Sequence, residues 1–186
     1  MIKEELIARC GRGEPKAQYE LYKALYGLMM SVCGRYERNR QDAVARMNQG
    51  FLKVLTNIDK RRPEVPFELW VRRIMINTVI DEYRKDSQRK AQETLDVPLD
   101  NSTLAEVNDY LRHMEADAFA ALLDRVPEMS RKVFNLFAID GYAHAEIAEL
   151  LGISEGTSKW HVSHARQVLQ QAIAQLAGRR LKTELR

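Results

Sequence analysis

The chain has 186 residues, 45% of them apolar, 8% aromatic and 30% charged, with a formal net charge of +3. That balance excludes a disordered polymer and fits one large or two small folded domains. Its apolar runs are short and broken by charge, which argues against membrane insertion.

The charge is unevenly placed. Residues 1–90 carry 19 Lys/Arg against 12 Asp/Glu, residues 91–130 carry 2 against 9, and residues 131–186 carry 8 against 5. Two basic segments joined by an acidic one suit binding to phosphate backbones at both ends, since an acidic tether cannot lie along them. The opening MIKEELIARC has acids in its first turn and no apolar signal core, so the sequence predicts a cytoplasmic protein. Cys10 and Cys33 have no metal-ligand spacing and fit a reducing compartment as core residues.

Helical periodicity dominates and strand alternation is nearly absent, so the fold class expected is all-α. The first module reads as helices near 3–11, 14–36, 40–59 and 66–88, with a break at KRRPEVP, residues 60–66, where Pro63 and Pro66 stop one helix and start the next. In the last of these helices, FELWVRRIMINTVIDEYRKDSQRK, a broad apolar face is formed by Phe67, Val71, Ile74, Met75, Thr78 and Val79. Ile76, Ile80 and Tyr83 widen it. Trp70, Arg73, Asn77, Asp81 and Arg84 share the narrow stripe that remains. Two readings fit that stripe. In one, cations hold phosphates, Trp70 stacks on a base and Asn77 reads a base edge of single-stranded nucleic acid. In the other, Trp70 belongs to the core and the charges form ordinary surface pairs.

The segment ETLDVPLDNSTLAEVN, residues 93–108, mixes acids, Pro98 and turn formers with little periodicity. It divides the chain into a first domain over 1–92, a linker over 93–110, a second domain over 111–178 and a basic tail over 179–186. The second domain reads as helices near 111–124, 127–139, 143–151 and 155–177. In IAELLGISEGTSKW, residues 147–160, Ile147, Leu150 and Leu151 make an apolar face and Ala148 permits close approach. Gly152 is placed to end a helix in the left-handed conformation, and Ser154 to cap the next one, with Glu155 in its first turn. This pattern predicts a helix-turn-helix.

In the second helix of that motif, Val162, Ala165, Leu169, Ala172, Ile173 and Leu176 fall on the side expected to pack inward. Thr157, Trp160, His161, His164 and Gln167 fall opposite, flanked by Lys159 and Arg166, an arrangement of polar groups and cations suited to a major groove. His161 and His164 at i and i+3 lack a third ligand, so no metal is expected. No phosphate-binding glycine loop, zinc-protease motif or recombinase arrangement occurs, so no catalytic residue and no cofactor is assigned. A duplex-binding regulator with a helical sensing domain is the nearer rival, although such binding gives the Trp70–Asn77 stripe no task.

Three motifs in order resemble the extracytoplasmic-function group of the bacterial sigma-70 family. FLKVL (51–55) resembles the end of the core-binding helix of conserved region two. PFELWVRRIMINTVIDEYRK (66–85) resembles its promoter-melting helix. VPEMSRKVFNLFAIDGYAHAEIAELLGISEGTSKWHVSHAR (126–166) resembles region four. The resemblance implies two helical domains that bind core RNA polymerase and promoter DNA without enzymatic activity, and it is compatible with a restraining anti-sigma partner. It matches Asn77, Asp81 and Arg84 to minus-ten recognition and Arg73 to backbone contacts there, and with Trp70 from the stripe these are the residues expected at the minus-ten element. To the recognition helix it matches Ser158, Lys159, Trp160, His161 and Arg166; with Thr157 and His164 from the outward face these are expected at the minus-thirty-five element, and Asp42, Gln49, Phe51, Leu52 and Val54 are expected at polymerase. Departures from the family pattern are also legible. Asp42 is the lone acid in DAVARMNQGF (42–51), and Ala143 stands where a capping Ser or Thr is usual, a loss of about 1 kcal/mol expected to fray that helix. Ser158 replaces an apolar residue and Trp160-His161 a Ser-Arg pair, so an altered minus-thirty-five preference is expected.

Overall fold

A computed structural model describes residues 2–89 and 121–184, with side chains described over 2–85 and 121–176. Every regular element among the described residues is helical. The chain divides into two compact units, Met1–Ala91 and Gln92–Arg186. The expected linker, and most of the helix expected near 111–124, lie outside the described residues.

The first unit contains α1 (Glu4–Gly11), α2 (Pro15–Tyr36), α3 (Arg40–Asn57) and α4 (Phe67–Arg89), with a 3-10 turn at Ile58–Lys60. Pro15 opens α2 at a position where a missing N–H costs nothing. Asn39 caps α3: its Oδ1 accepts from the Asp42 N–H at 2.8 Å. Helices α2, α3 and α4 pack on one another, and α1 lies against α2. Leu21, Leu25, Met29, Met47, Val71, Met75 and Val79 fill the space between them. Where α3 crosses α4, Gly50 leaves room for the Met75 side chain: a Cβ there would stand 2.6 Å from Met75 Sδ. Thr78, buried on the same face of α4, satisfies its hydroxyl by donating to Ile74 O at 2.7 Å. Burial pushes the Cys33 thiol up to about 12, so it stays protonated and inert in the core.

In the second unit, residues 121–123 are the described end of a helix, followed by α5 (Glu128–Phe134), which continues as a π-helical turn over Asn135–Ile139. Then come α6 (His144–Leu151) and α7 (Glu155–Glu184). Leu122, Leu123, Val126 and Phe134 pack against Ala165, Leu169 and Ala172 of α7. Gly152 adopts φ 68°, ψ 37°, the left-handed conformation that lets α6 stop and the chain turn. Ser154 Oγ then accepts from the Thr157 N–H at 3.0 Å and caps α7.

Two expectations about this unit are corrected. Helix α7 runs to Glu184, so the residues expected as a tail, 179–184, continue the helix. Leu176, expected inside, is 37% exposed: it lies one turn beyond Ala172, the last buried residue described on α7. The fraying expected at Ala143 is also opposed. Its side chain offers no acceptor, but Glu146 Oε2 reaches back to accept from the Ala143 N–H at 2.8 Å, half of a capping box.

Candidate nucleic-acid interface

Along α4 the residues assigned to single-stranded DNA share one outer stripe. Arg73, Asn77, Asp81 and Arg84 are exposed, while Trp70 is half-buried against Phe67, ring centroids 5.7 Å apart. Trp70 therefore belongs partly to the core and partly to the stripe: one face packs and the remainder is available to stack. Asp81 Oδ2 accepts from Lys53 Nζ at 3.1 Å across the α3–α4 groove. Lys53 is a residue that sequence reasoning missed. It stands 28 positions from Asp81, and no pattern within α3 marks it. With Lys53 opposite, the acid does not repel an approaching phosphate as a bare carboxylate would.

The residues assigned to polymerase divide. Asp42 and Gln49 are exposed, and Leu52 is 62% exposed. Phe51 is half-buried edge-on to Tyr22, centroids 5.1 Å apart. Val54 is wholly buried between the helices and cannot meet a partner, which corrects its assignment. It lies on the inner stripe of α3 with Met47 and Gly50, at helical spacings of three and four.

In the helix-turn-helix, Thr157 and Lys159 are exposed at the start of α7. Ser158 is not. It has no exposed surface, and its Oγ lies 2.9 Å from His144 Nδ1, so it fastens α6 to α7 and cannot touch DNA. This corrects its assignment, and the cause is an extra inward face. α7 packs on α6 through one side and on α5 through another. His144 stacks on Phe137 of the π turn, centroids 4.4 Å apart, and the Arg166 guanidinium lies 5.9 Å above the other ring's centroid, that of Phe137. Burial, then Lys159, hold the His144 ring below its usual protonation range.

Trp160, His161 and His164 are half-buried, not wholly outward as the helical angle predicts. Trp160 stacks on His164 at 4.8 Å and meets His161 edge-on at 4.9 Å. Ser130 of α5, which carries no sequence signal, places its Oγ 2.9 Å from His161 Nδ1 and 3.0 Å from His164 Nδ1. Burial, helped by the neighbouring His164, pushes His161 down to about 4, so it is neutral at pH 7. Burial also lowers Arg166, whose Nε has no partner among the described residues while its plane rests on Phe137. Among the described residues no group of three or more His, Cys, Asp or Glu could hold a metal, and no helix is long and apolar enough to cross a membrane.

Comparison with known proteins places both units. Residues 21–89 match Sigma-70 region 2, and residues 116–169 match Sigma-70, region 4. The ECF RNA polymerase sigma factor EcfG of Rhodopseudomonas palustris is 29% identical over 146 residues, 78% of this chain and 77% of that one. The ECF RNA polymerase sigma-E factor of Haemophilus influenzae is 23% identical over 184 residues, 93% of this chain and 96% of its own. Among solved structures, the sigma factor RpoE of Bartonella quintana, in complex with the anti-sigma factor NepR, has a similar fold. Its TM-score is 0.51 at 16% identity, covering 83% of this chain and 97% of that one.

Proposed function

The chain belongs to the sigma-70 family, its two matched regions taking in about two thirds of the sequence, and on that premise we propose how its residues do the work of an extracytoplasmic-function sigma factor. It is an alternative sigma factor that binds core RNA polymerase and directs promoter-specific initiation. Proteins of this family are DNA-binding regulators rather than enzymes. The chain performs no catalysis of its own, and its place of action is the cytoplasm, where polymerase and promoter are.

The observation that carries the residue assignment is the outer stripe of α4. Arg73, Asn77 and Arg84 are exposed along one stripe of the helix, with the half-covered Trp70 at its N-terminal end. A surface that needed only to be wet has no use for a partly exposed aromatic in line with an asparagine and two arginines. Such a stripe binds a strand whose bases have left the duplex: arginines on phosphates, Trp70 stacking, Asn77 reading an edge. Lys53, tied to Asp81, offsets that residue's negative charge. Stacking of this kind contributes about 1–3 kcal/mol per base, enough to favour the melted form of a minus-ten element.

In the other unit, Thr157 and Lys159 meet the duplex first, at the positively polarised start of α7. Arg166, braced on Phe137, supplies a fixed cation. Polymerase docks on the exposed Leu52 with Asp42, Gln49 and Phe51 around it. The solved sigma factor of similar fold is in complex with an anti-sigma factor, and a restraining partner of that kind is part of the reading proposed here.

Run-off transcription with core RNA polymerase, with and without this protein, tests the reading. New discrete start sites that need both components support it. DNA binding without core, and no initiation with it, would transfer the chain to the class of duplex-binding regulators.

A further inference from the structure

Ser130 stands outside the helix-turn-helix, on α5, and is 1% exposed. Its Oγ nevertheless touches both histidines of the reading helix, at 2.9 Å from His161 Nδ1 and 3.0 Å from His164 Nδ1. A serine hydroxyl carries one proton and donates once, although it can accept twice. A neutral imidazole also carries one proton, on one nitrogen or the other. The Ser130 proton has no other acceptor among the described residues, so it goes to one of the two Nδ1 atoms. The remaining Nδ1 makes its contact only by donating its own proton to Oγ. The hydrogen bonds then run in one direction: from one ring, through the hydroxyl, to the other ring.

We infer that Ser130 forces opposite tautomers on His161 and His164, and so determines base specificity at the minus-thirty-five element without touching DNA. The ring that donates through Nδ1 has a bare Nε2, an acceptor. The ring that accepts at Nδ1 has its proton on Nε2, a donor. Neither Nε2 has a protein partner among the described residues, and neither is sealed from solvent. Trp160, stacked on one ring and edge-on to the other, fixes both planes. One donor beside one acceptor complements the major-groove edge of adenine, which offers an acceptor at N7 and a donor at N6. Guanine offers two acceptors there and leaves the bare Nε2 unmatched.

The inference rests on α7 being the duplex-reading helix, so its test has two separate readouts. In the full chain at neutral pH, 15N NMR of the histidine side chains, assigned with His161→Gln and His164→Gln, reports each tautomer directly. One ring protonated at Nδ1 and the other at Nε2 is the expected result. The same tautomer populations on both rings would overturn the inference, and this measurement needs no change at Ser130. Ser130→Ala is expected to abolish the opposition, and Ser130→Thr, which keeps the hydroxyl, to preserve it. In parallel, holoenzyme is bound to promoters randomised over the minus-thirty-five element. Ser130→Ala is expected to reduce discrimination of adenine from guanine at one position about three- to tenfold, with the salt dependence unchanged. Opposite tautomers with unaltered base preference in Ser130→Ala would refute the specificity role and remove both histidines from the reading surface.

Discussion

Ser158→Ala separates a DNA-contacting serine from a structural one. Ser158 has no exposed surface and shares a 2.9 Å hydrogen bond with His144 Nδ1. Loss of a hydrogen bond of this kind destabilises by about 0.5–1.5 kcal/mol, and an orphaned buried partner adds to that. His144 is half-buried, so water reaches its ring and the added cost is small. Alanine at an interior helical position returns about 0.5 kcal/mol in propensity. The net expectation is a loss of about 1 kcal/mol in the second unit, or about 4–8 °C in its Tm. The two tryptophans, Trp70 and Trp160, fall one in each unit, so fluorescence in a Trp70→Phe background reports the second unit alone. Promoter preference of the holoenzyme should stay the same. An unchanged melting temperature together with a changed minus-thirty-five preference would refute the latch and return Ser158 to the DNA surface.

Stability of the second unit is expected to fall as pH drops. His161 titrates near 4 when folded against 6.5 in an unfolded chain, so below about pH 6.5 the unfolded state takes up a proton that the fold refuses. Between pH 7 and pH 5 the linkage is about 2 kcal/mol for a fully shielded ring, and about 1 kcal/mol for this half-buried one. His144 shifts in the same direction, so denaturant midpoints that do not fall over that range would contradict both placements. Asn77→Ala, at an exposed site, should leave the first unit's stability within about 0.5 kcal/mol. Permanganate footprinting should nonetheless show weaker promoter opening, with duplex binding by the second unit retained. Leu52→Ala should weaken binding to core polymerase with no loss of thermal stability, since a side chain 62% exposed contributes little to the core. Val54→Ala, by contrast, should destabilise by about 1–3 kcal/mol, a cost read in the urea midpoint.

The last helix runs seven residues beyond the expected 177, but the sequence by itself determined the spans of the first unit's helices within a few residues, the turn at Gly152, the Ser154 cap and the exposure of Arg73, Asn77 and Arg84. These are local properties. A left-handed glycine, a capping hydroxyl and a period of 3.6 act within one turn of the chain that carries them. The tertiary structure decided what periodicity leaves open, namely how many sides of a helix are covered. α4 buries broad adjoining faces, so a single angular sorting located its exposed Arg73, Asn77, Asp81 and Arg84, although Leu69, 45% exposed, lies outside that stripe. α7 meets α6 on one side and α5 on another. Ser158 thereby turned from a presumed base contact into a latch, and Trp160, His161 and His164 became half-buried. Val54 shows the same effect on α3: its neighbours Phe51 and Leu52 reach the surface, while the Gly50–Met75 crossing closes over its own side. Lys53 and Ser130 had no signal because each acts on a residue about thirty positions away, a distance that only packing closes.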